Sequence, residues 1–345
     1  MVNETSTLAG AKIAAPGPRA QISPRVWKIL GILVILAIAC ILPLGLSNYR
    51  LFQLTLALVY AIAILGLNIL TGYNGQISLG HGAFYAIGAY VAAILMNTYN
   101  VPYWATIPIA GFVCLVVGFL FGLPALRLEG HYLALATFAL AVATPQLLKY
   151  KAIANWTGGV EGINLLKPDA PAWMHVDSDQ YLYYFTLAIT VVMFVIGWNL
   201  LRGRVGRALV AIRDHPVAAE AMGVNTAYHK AMAFGVSALY TGVAGAIGAI
   251  VVAYVAPDSF DFLLSIFLLV GLVVGGLASI SGAIYGALFI QFAPNFAADL
   301  SKAAPWAIFG IFMIGAVYVM PGGVASFVQI VWDRIRRMLA PARGT

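Results

Sequence analysis

The sequence predicts an all-α fold, a polytopic bundle of about ten membrane-spanning helices. Of its 345 residues, 62% are hydrophobic and only 9% are charged, whereas soluble domains carry about 25% charged residues. Long stretches contain no Lys, Arg, Asp or Glu, and one of them runs from Leu51 to Leu126. Because a spanning helix needs about 20 apolar residues, this stretch is expected to fold back on itself in three crossings.

The charge-free stretches and their polar interruptions place the individual helices. If the N terminus is cytoplasmic, 14 of the 19 Lys and Arg residues fall on the inner side. Basic loops remain in the cytoplasm, so both termini are expected inside and the number of crossings is expected to be even. The predicted spans are 27–46, 50–70, 77–97, 104–126, 131–150, 180–201, 230–255, 261–279, 282–300 and 304–322.

These spans form one predicted membrane domain, residues 27–330, between two cytoplasmic ends. Residues 1–26 are rich in Ala, Pro and Ser and are expected to be a disordered arm, and residues 331–345 are expected to be a basic tail. The net charge of +7 is that of cytoplasmic loops, so the expected partner is membrane lipid and no nucleic acid. Long loops are expected at 151–179 outside and 202–229 inside.

A weak internal similarity links Ser78–Tyr85 to Ser279–Tyr285, which share Ser, Gly and Tyr positions. Inverted repeats are frequent in transporters, so two pseudo-symmetric halves would explain it. Chance similarity between glycine-rich helices explains it equally well. The two cysteines, Cys40 and Cys114, lie in apolar stretches, and their spacing predicts neither a disulfide framework nor a metal site.

Small and polar residues interrupt the apolar pattern in the segment Thr71–Phe84. Helix interiors disfavour Gly, and a broken helix in a membrane must be covered by protein or line a wet cavity. A cytoplasmic loop with a close helix contact is the alternative, and the residues leave both open. The candidate translocation-path residues are Thr71, Asn74, Gln76, Ser78, Gly80 and His81.

The inner loop has the pattern of two short amphipathic helices. The first is expected to end near Asp214, which is also a candidate N-cap for a second helix that ends at Gly223, a natural C-cap. Apolar residues among charges indicate docking to a partner protein, whereas an interfacial helix on lipid is the alternative. The candidate coupling residues are Arg207, Ile212, Arg213, Asp214, Glu220 and Gly223.

The remaining candidate sites are a turn in the outer loop 151–179 and several pairs of glycines within the predicted spans. The turn is a candidate docking site for an external partner, although a plain turn explains it equally well; its residues are Trp156, Gly158, Gly159 and Glu161. Small residues four apart let helices approach closely. These pairs are Gly118 with Gly122, Gly271 with Gly275 and Gly282 with Gly286.

The sequence lacks the motifs by which a single chain could bind ATP, hold a catalytic zinc ion or couple transport to an ion gradient. It contains no P-loop pattern, no His-Glu-x-x-His zinc motif and no Asp, Glu, Lys or Arg in the middle of a predicted span. Ion-coupled carriers usually need such intramembrane charges, which disfavours a stand-alone channel or secondary carrier. An intramembrane enzyme is disfavoured because no nucleophile–base or metal constellation is evident.

The segment Thr71–Phe84 resembles a signature of the permease subunits of branched-chain amino acid ABC importers, of the LivM type. Further similar segments follow in the same order along the chain, and the resemblance covers roughly residues 48–330. These segments are Leu126–Thr137, Trp156–Gly159, Gly206–Asn225, Gly275–Gly282 and Met320–Gly323.

The resemblance implies a non-catalytic subunit in the bacterial inner membrane. Its partners would be a second, LivH-like permease, two cytoplasmic ATP-binding subunits and a periplasmic substrate-binding protein. ATP would be bound by those partners, so no cofactor is expected on this chain. The Gly206–Asn225 segment would dock on the ATPases. Leu, Ile and Val are the expected substrates, and urea, short amides and other amino acids are the alternatives within the same family.

Overall fold

The computed structural model describes residues 31, 34, 36–128, 130–171, 176–300, 302 and 304–339, and the predicted arm 1–26 lies outside them. Within this part of the chain the predicted all-α fold is confirmed. The helices are α1 Asn48–Leu67 with a π-helical extension Asn68–Tyr73, α2 His81–Tyr99, α3 Tyr103–Ala125, α4 His131–Leu148, α5 Ala154–Thr157, α6 Ser178–Arg202, α7 Arg204–Asp214, α8 Pro216–Ala221, α9 Thr226–Val252, α10 Phe262–Gly275, α11 Ile280–Leu300, α12 Pro305–Val319 and α13 Gly323–Leu339; the strands are β1 Ile163–Asn164 and β2 Tyr254–Val255.

Fewer helices of the described residues are long and apolar enough to cross a membrane than the ten predicted for the whole chain. Among the described residues seven helices are long and apolar enough to cross, or eight if α12 and the bent continuation 323–332 form one span. The predicted span 27–46 is only partly described, since residues 27–30, 32, 33 and 35 lie outside the described residues. Helix α11 has 21 residues, but Gln291, Asn295 and Asp299 lower its hydropathy.

The chain divides into two units at residue 46. In the first unit, residues 36–41 are helical and Leu42–Leu44 form a 3₁₀ turn. The second unit contains α1 to α13 and the two strands. Its small antiparallel sheet pairs Ile163 with Val255 and Asn164 with Tyr254.

Helix α9 is the centre of the second unit, since 83% of its most apolar stretch is buried inside the protein. It packs on α1, α2 and α3. Small residues make these contacts close, because glycine removes the side chain that separates two backbones. The predicted pairs behave as expected: Gly118 and Gly122 of α3 face α9, while Gly271 and Gly275 of α10 face Gly286 and Gly282 of α11.

The bundle has two chemically different ends, which α1 connects. At the sheet end, which carries β1 and β2, Asn48 donates to Asp177 at 2.9 Å and Lys149 pairs with Asp258 at 2.5 Å. At the other end, the Arg213 end, α7 lies against the last turn of α1. Helix α6 also runs between the ends, so the connections before and after it lie at opposite ends.

Two details differ from the sequence predictions. Asp214 is the last residue of α7, and its carboxylate bonds Arg213; the N-cap position of α8 is His215, without a side-chain cap. The proposed role of Asp214 as an N-cap was therefore wrong, whereas Gly223 follows α8 with φ +84°, as a C-terminal glycine should. Residues 331–339 continue α13, so the predicted boundary at residue 330 falls inside a helix.

Candidate functional site

The helix is broken within Thr71–Phe84, which is one of the two arrangements that the residues left open. After the π-helical turn Asn68–Tyr73, residues 74–80 are irregular and α2 begins at His81. π-Helical turns are frequent at functional sites. The side chains of Asn74, Gln76, Ser78 and His81 are all buried, Gly80 is buried and Thr71 is half-buried. In this structure they are covered by protein, one of the two ways in which a membrane tolerates broken backbone.

A directed chain of hydrogen bonds fixes His81. The Ser237 hydroxyl donates to the carbonyl of Gly66 at 2.6 Å, and a hydroxyl has only one proton to donate. The 2.6 Å contact between Ser237 Oγ and His81 Nε2 therefore requires Nε2–H to be the donor. His81 Nδ1 then accepts from Ser78 Oγ at 3.0 Å. For a neutral imidazole this arrangement selects the tautomer with its proton on Nε2.

Other bonds shape the irregular segment around Gln76. Thr71 Oγ1 donates to the Gln76 carbonyl at 2.9 Å, and Asn74 Nδ2 donates to Gln76 Oε1 at 2.6 Å. Leu79 N–H donates to Thr137 of α4 at 2.9 Å. Asn74 Oδ1 is buried without a partner among the described residues, so this oxygen is a free acceptor inside the segment.

Asn68 joins this break to a second one between α10 and α11. Its Nδ2 donates to the Ser279 carbonyl at 2.7 Å, and its Oδ1 accepts from Ala278 N–H at 2.9 Å. The π-helical turn Asn68–Tyr73 and the connection before α11 thus lie side by side. Sequence reasoning did not single out Asn68, although an amide within an apolar helix was a usable signal because buried polar groups need partners.

The predicted coupling loop contacts the break directly through Arg213. Its Nη1 donates to the Gly72 carbonyl at 2.9 Å, and its Nη2 pairs with Asp214 at 2.9 Å. A β-carbon at Gly75 would lie 2.8 Å from Arg213 Cγ, so the backbone of the break lies against the arginine stem. Ile212 is buried and anchors α7 on its inner face. The structure thereby brings two separately predicted sites together.

The remaining coupling candidates lie on the surface. Arg207 donates to the carbonyl of Arg202 at 3.3 Å, and Glu220 and Gly223 are exposed. Two large apolar side chains beside them, Val217 and Met222, are 80% and 84% exposed. Sequence reasoning did not name either residue. Which side of α8 is exposed depends on how α7 packs, and the local sequence does not show this.

The outer turn is an ordered structure at the sheet end. Thr157 Oγ1 donates to the Leu148 carbonyl at 2.8 Å, and Tyr254 donates to the Glu161 carbonyl at 2.9 Å. Gly158 and Gly159 both have positive φ, which explains why glycines occupy this tight turn. Trp156 is 63% exposed. The turn therefore presents an aromatic side chain on a fixed backbone.

The hydrogen-bond chain through His81 predicts a measurable contribution to stability. We expect Ser237→Ala to lower the free energy of unfolding by about 1–2 kcal/mol, because it leaves the buried His81 Nε2–H without an acceptor. Unfolding of the detergent-solubilised protein would measure this loss. Ser281→Ala, at an exposed serine, should stay within about 0.5 kcal/mol. Equal stability of the two variants would contradict the assigned chain.

In the described part of the chain, no group of three or more His, Cys, Asp or Glu side chains is arranged to hold a metal ion. The polar groups gathered at the break are amides, hydroxyls and one neutral imidazole. Such groups suit passage of a polar or zwitterionic solute by hydrogen bonding.

Comparison with known proteins gives one consistent result. Residues 49–320 match the family described as the permease component of branched-chain amino acid transport systems. The chain is 32% identical over 315 residues to the high-affinity branched-chain amino acid transport system permease protein LivM of Escherichia coli, covering 84% of this chain and 72% of the relative.

More distant relatives have related names. The chain is 25% identical over 260 residues to BraD of Pseudomonas aeruginosa, covering 72% of this chain and 84% of that permease. It is 25% identical over 292 residues to LivH of E. coli, covering 80% and 94% of the two chains. No solved structure matches the chain significantly.

Proposed function

The chain belongs to the family of permease components of branched-chain amino acid transport systems, and we therefore propose that it is a membrane-spanning subunit of an ATP-driven importer for leucine, isoleucine and valine. The observation that carries this proposal is the contact of Arg213 with Gly72. It links an exposed cytoplasmic docking surface to the broken helix at the translocation path. The subunit itself is not an enzyme in this proposal.

The energy source in this proposal lies outside the chain. Within the described spans, charged residues stay near the helix ends, such as Arg50 in α1, Arg202 in α6 and Lys230 in α9. Proton- and sodium-coupled carriers place ionisable groups inside the membrane. Two cytoplasmic ATP-binding subunits would dock on α7 and α8, where Val217 and Met222 offer apolar contacts next to Glu220.

The other partners follow from the same arrangement. A second, LivH-like permease would complete the path, which agrees with the similarity of this chain to both LivM and LivH. A periplasmic substrate-binding protein would dock on the outer turn through Trp156, Gly158, Gly159 and Glu161. In the bacterial inner membrane the sheet end would then lie in the periplasm, and both termini and the Arg213 end would lie in the cytoplasm.

The proposed transport cycle uses the break as the moving part. Asn74, Gln76, Ser78 and His81 are covered by protein, and in the proposed cycle this arrangement is the closed state of the path. ATP-driven closure of the ATPases would shift α7, and Arg213 would pull on the end of α1. The amide and hydroxyl groups of the break would then be free to exchange their internal hydrogen bonds for bonds to the passing amino acid.

Reconstitution into liposomes tests the proposal. Liposomes that contain this chain, its second permease and the ATPases are loaded with ATP, and loaded binding protein is added outside. We expect these liposomes to take up radiolabelled L-leucine. The chain alone should accumulate nothing. Complexes whose ATPases carry a substituted P-loop lysine serve as the control. Accumulation by the chain alone would identify a carrier, and uptake of urea or short amides without leucine would change the substrate class.

A further inference from the structure

A cavity of about 140 Å³ opens at the sheet end between α1, α2, α9 and α10. Aromatic rings form much of its wall. The rings of Tyr60 and Tyr85 lie 6.5 Å apart between centroids, and those of Tyr85 and Phe260 lie 5.9 Å apart. Val252 lies at the mouth and is 45% exposed. We propose that this cavity is a binding site for the aliphatic side chain of the transported amino acid on its way in from the periplasm.

The size of the cavity matches this class of ligand. An apolar protein cavity of about 150 Å³ holds a benzene ring, so a cavity of about 140 Å³ holds the four-carbon side chain of leucine or isoleucine. A whole amino acid is larger than this, so the ammonium and carboxylate must stay at the mouth. Glycine has no side chain to place in the cavity and gains nothing from it.

The chemistry of the wall also fits an amino acid. Among the described residues the hydroxyls of Tyr60 and Tyr85 make no hydrogen bond, although Tyr85 is only 6% exposed. Both hydroxyls can donate to a carboxylate or accept from an ammonium group. Aromatic faces attract ammonium groups and pack well against aliphatic carbon. The wall thus offers apolar surface together with unused polar groups, as small-molecule sites do.

The position of the cavity places it on the route from the outside. Tyr254 lines it and donates to the Glu161 carbonyl of the outer turn, where the binding protein is proposed to dock. The broken helix and Arg213 lie at the opposite end. A substrate released at the outer turn would therefore meet this cavity before it reaches the break.

Helix α9 is built to leave the cavity open at Gly248. A β-carbon at this position would overlap the Tyr85 hydroxyl. The glycine therefore leaves room for the hydroxyl end of Tyr85 beside the α9 backbone. Gly248→Ala would displace the Tyr85 ring and change the shape of the cavity without adding charge.

Thiol protection tests the site in the complete transporter, reconstituted in lipid nanodiscs without ATP. Cys40→Ser and Cys114→Ala remove the native thiols, and Val252→Cys places a new one at the mouth. We expect millimolar L-leucine to slow its modification by a methanethiosulfonate reagent at least threefold, while glycine leaves the rate unchanged. Val160→Cys, on the exposed outer turn, should react at the same rate with or without either amino acid.

Two results would overturn the inference. Equal modification of Val252→Cys with and without L-leucine would mean that lipid or the partner permease fills the cavity. Equal protection by glycine would mean that the side chain is not what binds. Gly248→Ala provides a second test: the KM for leucine uptake should rise at least threefold with less change in kcat, and an unchanged KM would oppose the proposed wall.

This inference rests on the proposed function, and its failure can be distinguished from the failure of that function. If the parent transporter accumulates leucine but Val252→Cys is not protected, only the cavity assignment is wrong. If the parent transporter accumulates urea or short amides and not leucine, the proposed substrate class is wrong before the cavity is considered.

Discussion

Arg213→Ala should abolish most leucine uptake while leaving the transporter assembled. The change removes the bond from the guanidinium to the Gly72 carbonyl and its stem from the backbone at Gly75. A hydrogen bond to a charged group contributes about 1.5–3 kcal/mol. If that energy transmits the movement of α7 to the break, uptake should fall about tenfold to hundredfold, as measured by leucine accumulation in proteoliposomes.

Two further substitutions separate coupling from folding. Arg213→Lys keeps the charge, but one ammonium group does not reproduce the planar fork that bonds both Gly72 and Asp214, so we expect an intermediate loss of uptake. Arg204→Ala is the matched control, since Arg204 is an exposed arginine in the first turn of the same helix. It should retain nearly the parental rate of uptake.

ATP hydrolysis gives the independent readout for this prediction. If Arg213 couples the movements, Arg213→Ala should still hydrolyse ATP, but loaded binding protein should no longer stimulate the rate. Full uptake by this variant would show that the contact with Gly72 does not transmit force. Loss of the ATPases from the purified complex would instead place Arg213 in docking.

The positions of the helices could be predicted because lipid imposes a simple rule on composition. Nine of the predicted spans, from 50–70 to 304–322, coincide with the α1 to α4, α6 and α9 to α12 helices apart from shifts at their ends. Because charged residues are excluded from the apolar spans, their positions in the sequence indicate where the helices end. Two of these nine helices do not qualify as spans by themselves, because Gln291 and Asn295 lower the hydropathy of α11 and because α12 has only 15 residues.

The polar site was harder to predict, because burial depends on what packs against a segment. The residues of Thr71–His81 left two arrangements equally open, a broken helix that lines a wet cavity and a cytoplasmic loop with a close helix contact. Thr137 of α4 and Ser237 of α9, which cover the break, lie 58 and 156 residues away from their partners Leu79 and His81. No local pattern reports such contacts. The contact between Arg213 and Gly72 could not be predicted for the same reason, because these residues are 141 positions apart in the sequence. Each of the two segments was recognised separately.

A close approach between two helices was also missed, and it leads to the second strong prediction. Helices α2 and α9 cross where Gly88 meets Gly242, and a β-carbon on Gly88 would lie 2.6 Å from the α-carbon of Gly242. Gly88 belongs to none of the predicted glycine pairs. Glycine spacing within one helix identifies a surface that a second helix can approach closely. Which helix packs on that surface depends on the fold and not on the local sequence.

Gly88→Leu should therefore prevent the bundle from forming. The atoms that a new side chain would meet are backbone of α9, the helix that packs on α1, α2 and α3, so no side-chain rotation relieves the overlap. Overpacking a dense core typically costs about 1–3 kcal/mol when side chains can adjust, and we expect a larger loss here. The measurement is the amount of monodisperse protein recovered after extraction from membranes, which should fall below a tenth of the parental amount.

Gly310→Leu is the matched control, because a β-carbon at Gly310 of α12 meets nothing within 4 Å. Leucine is also a better helix former than glycine by roughly 0.5–1 kcal/mol, and lipid accepts its side chain. This variant should be recovered in the parental amount. Normal recovery of Gly88→Leu would mean that α2 and α9 do not cross at Gly88, and the central position of α9 in the bundle would then be wrong.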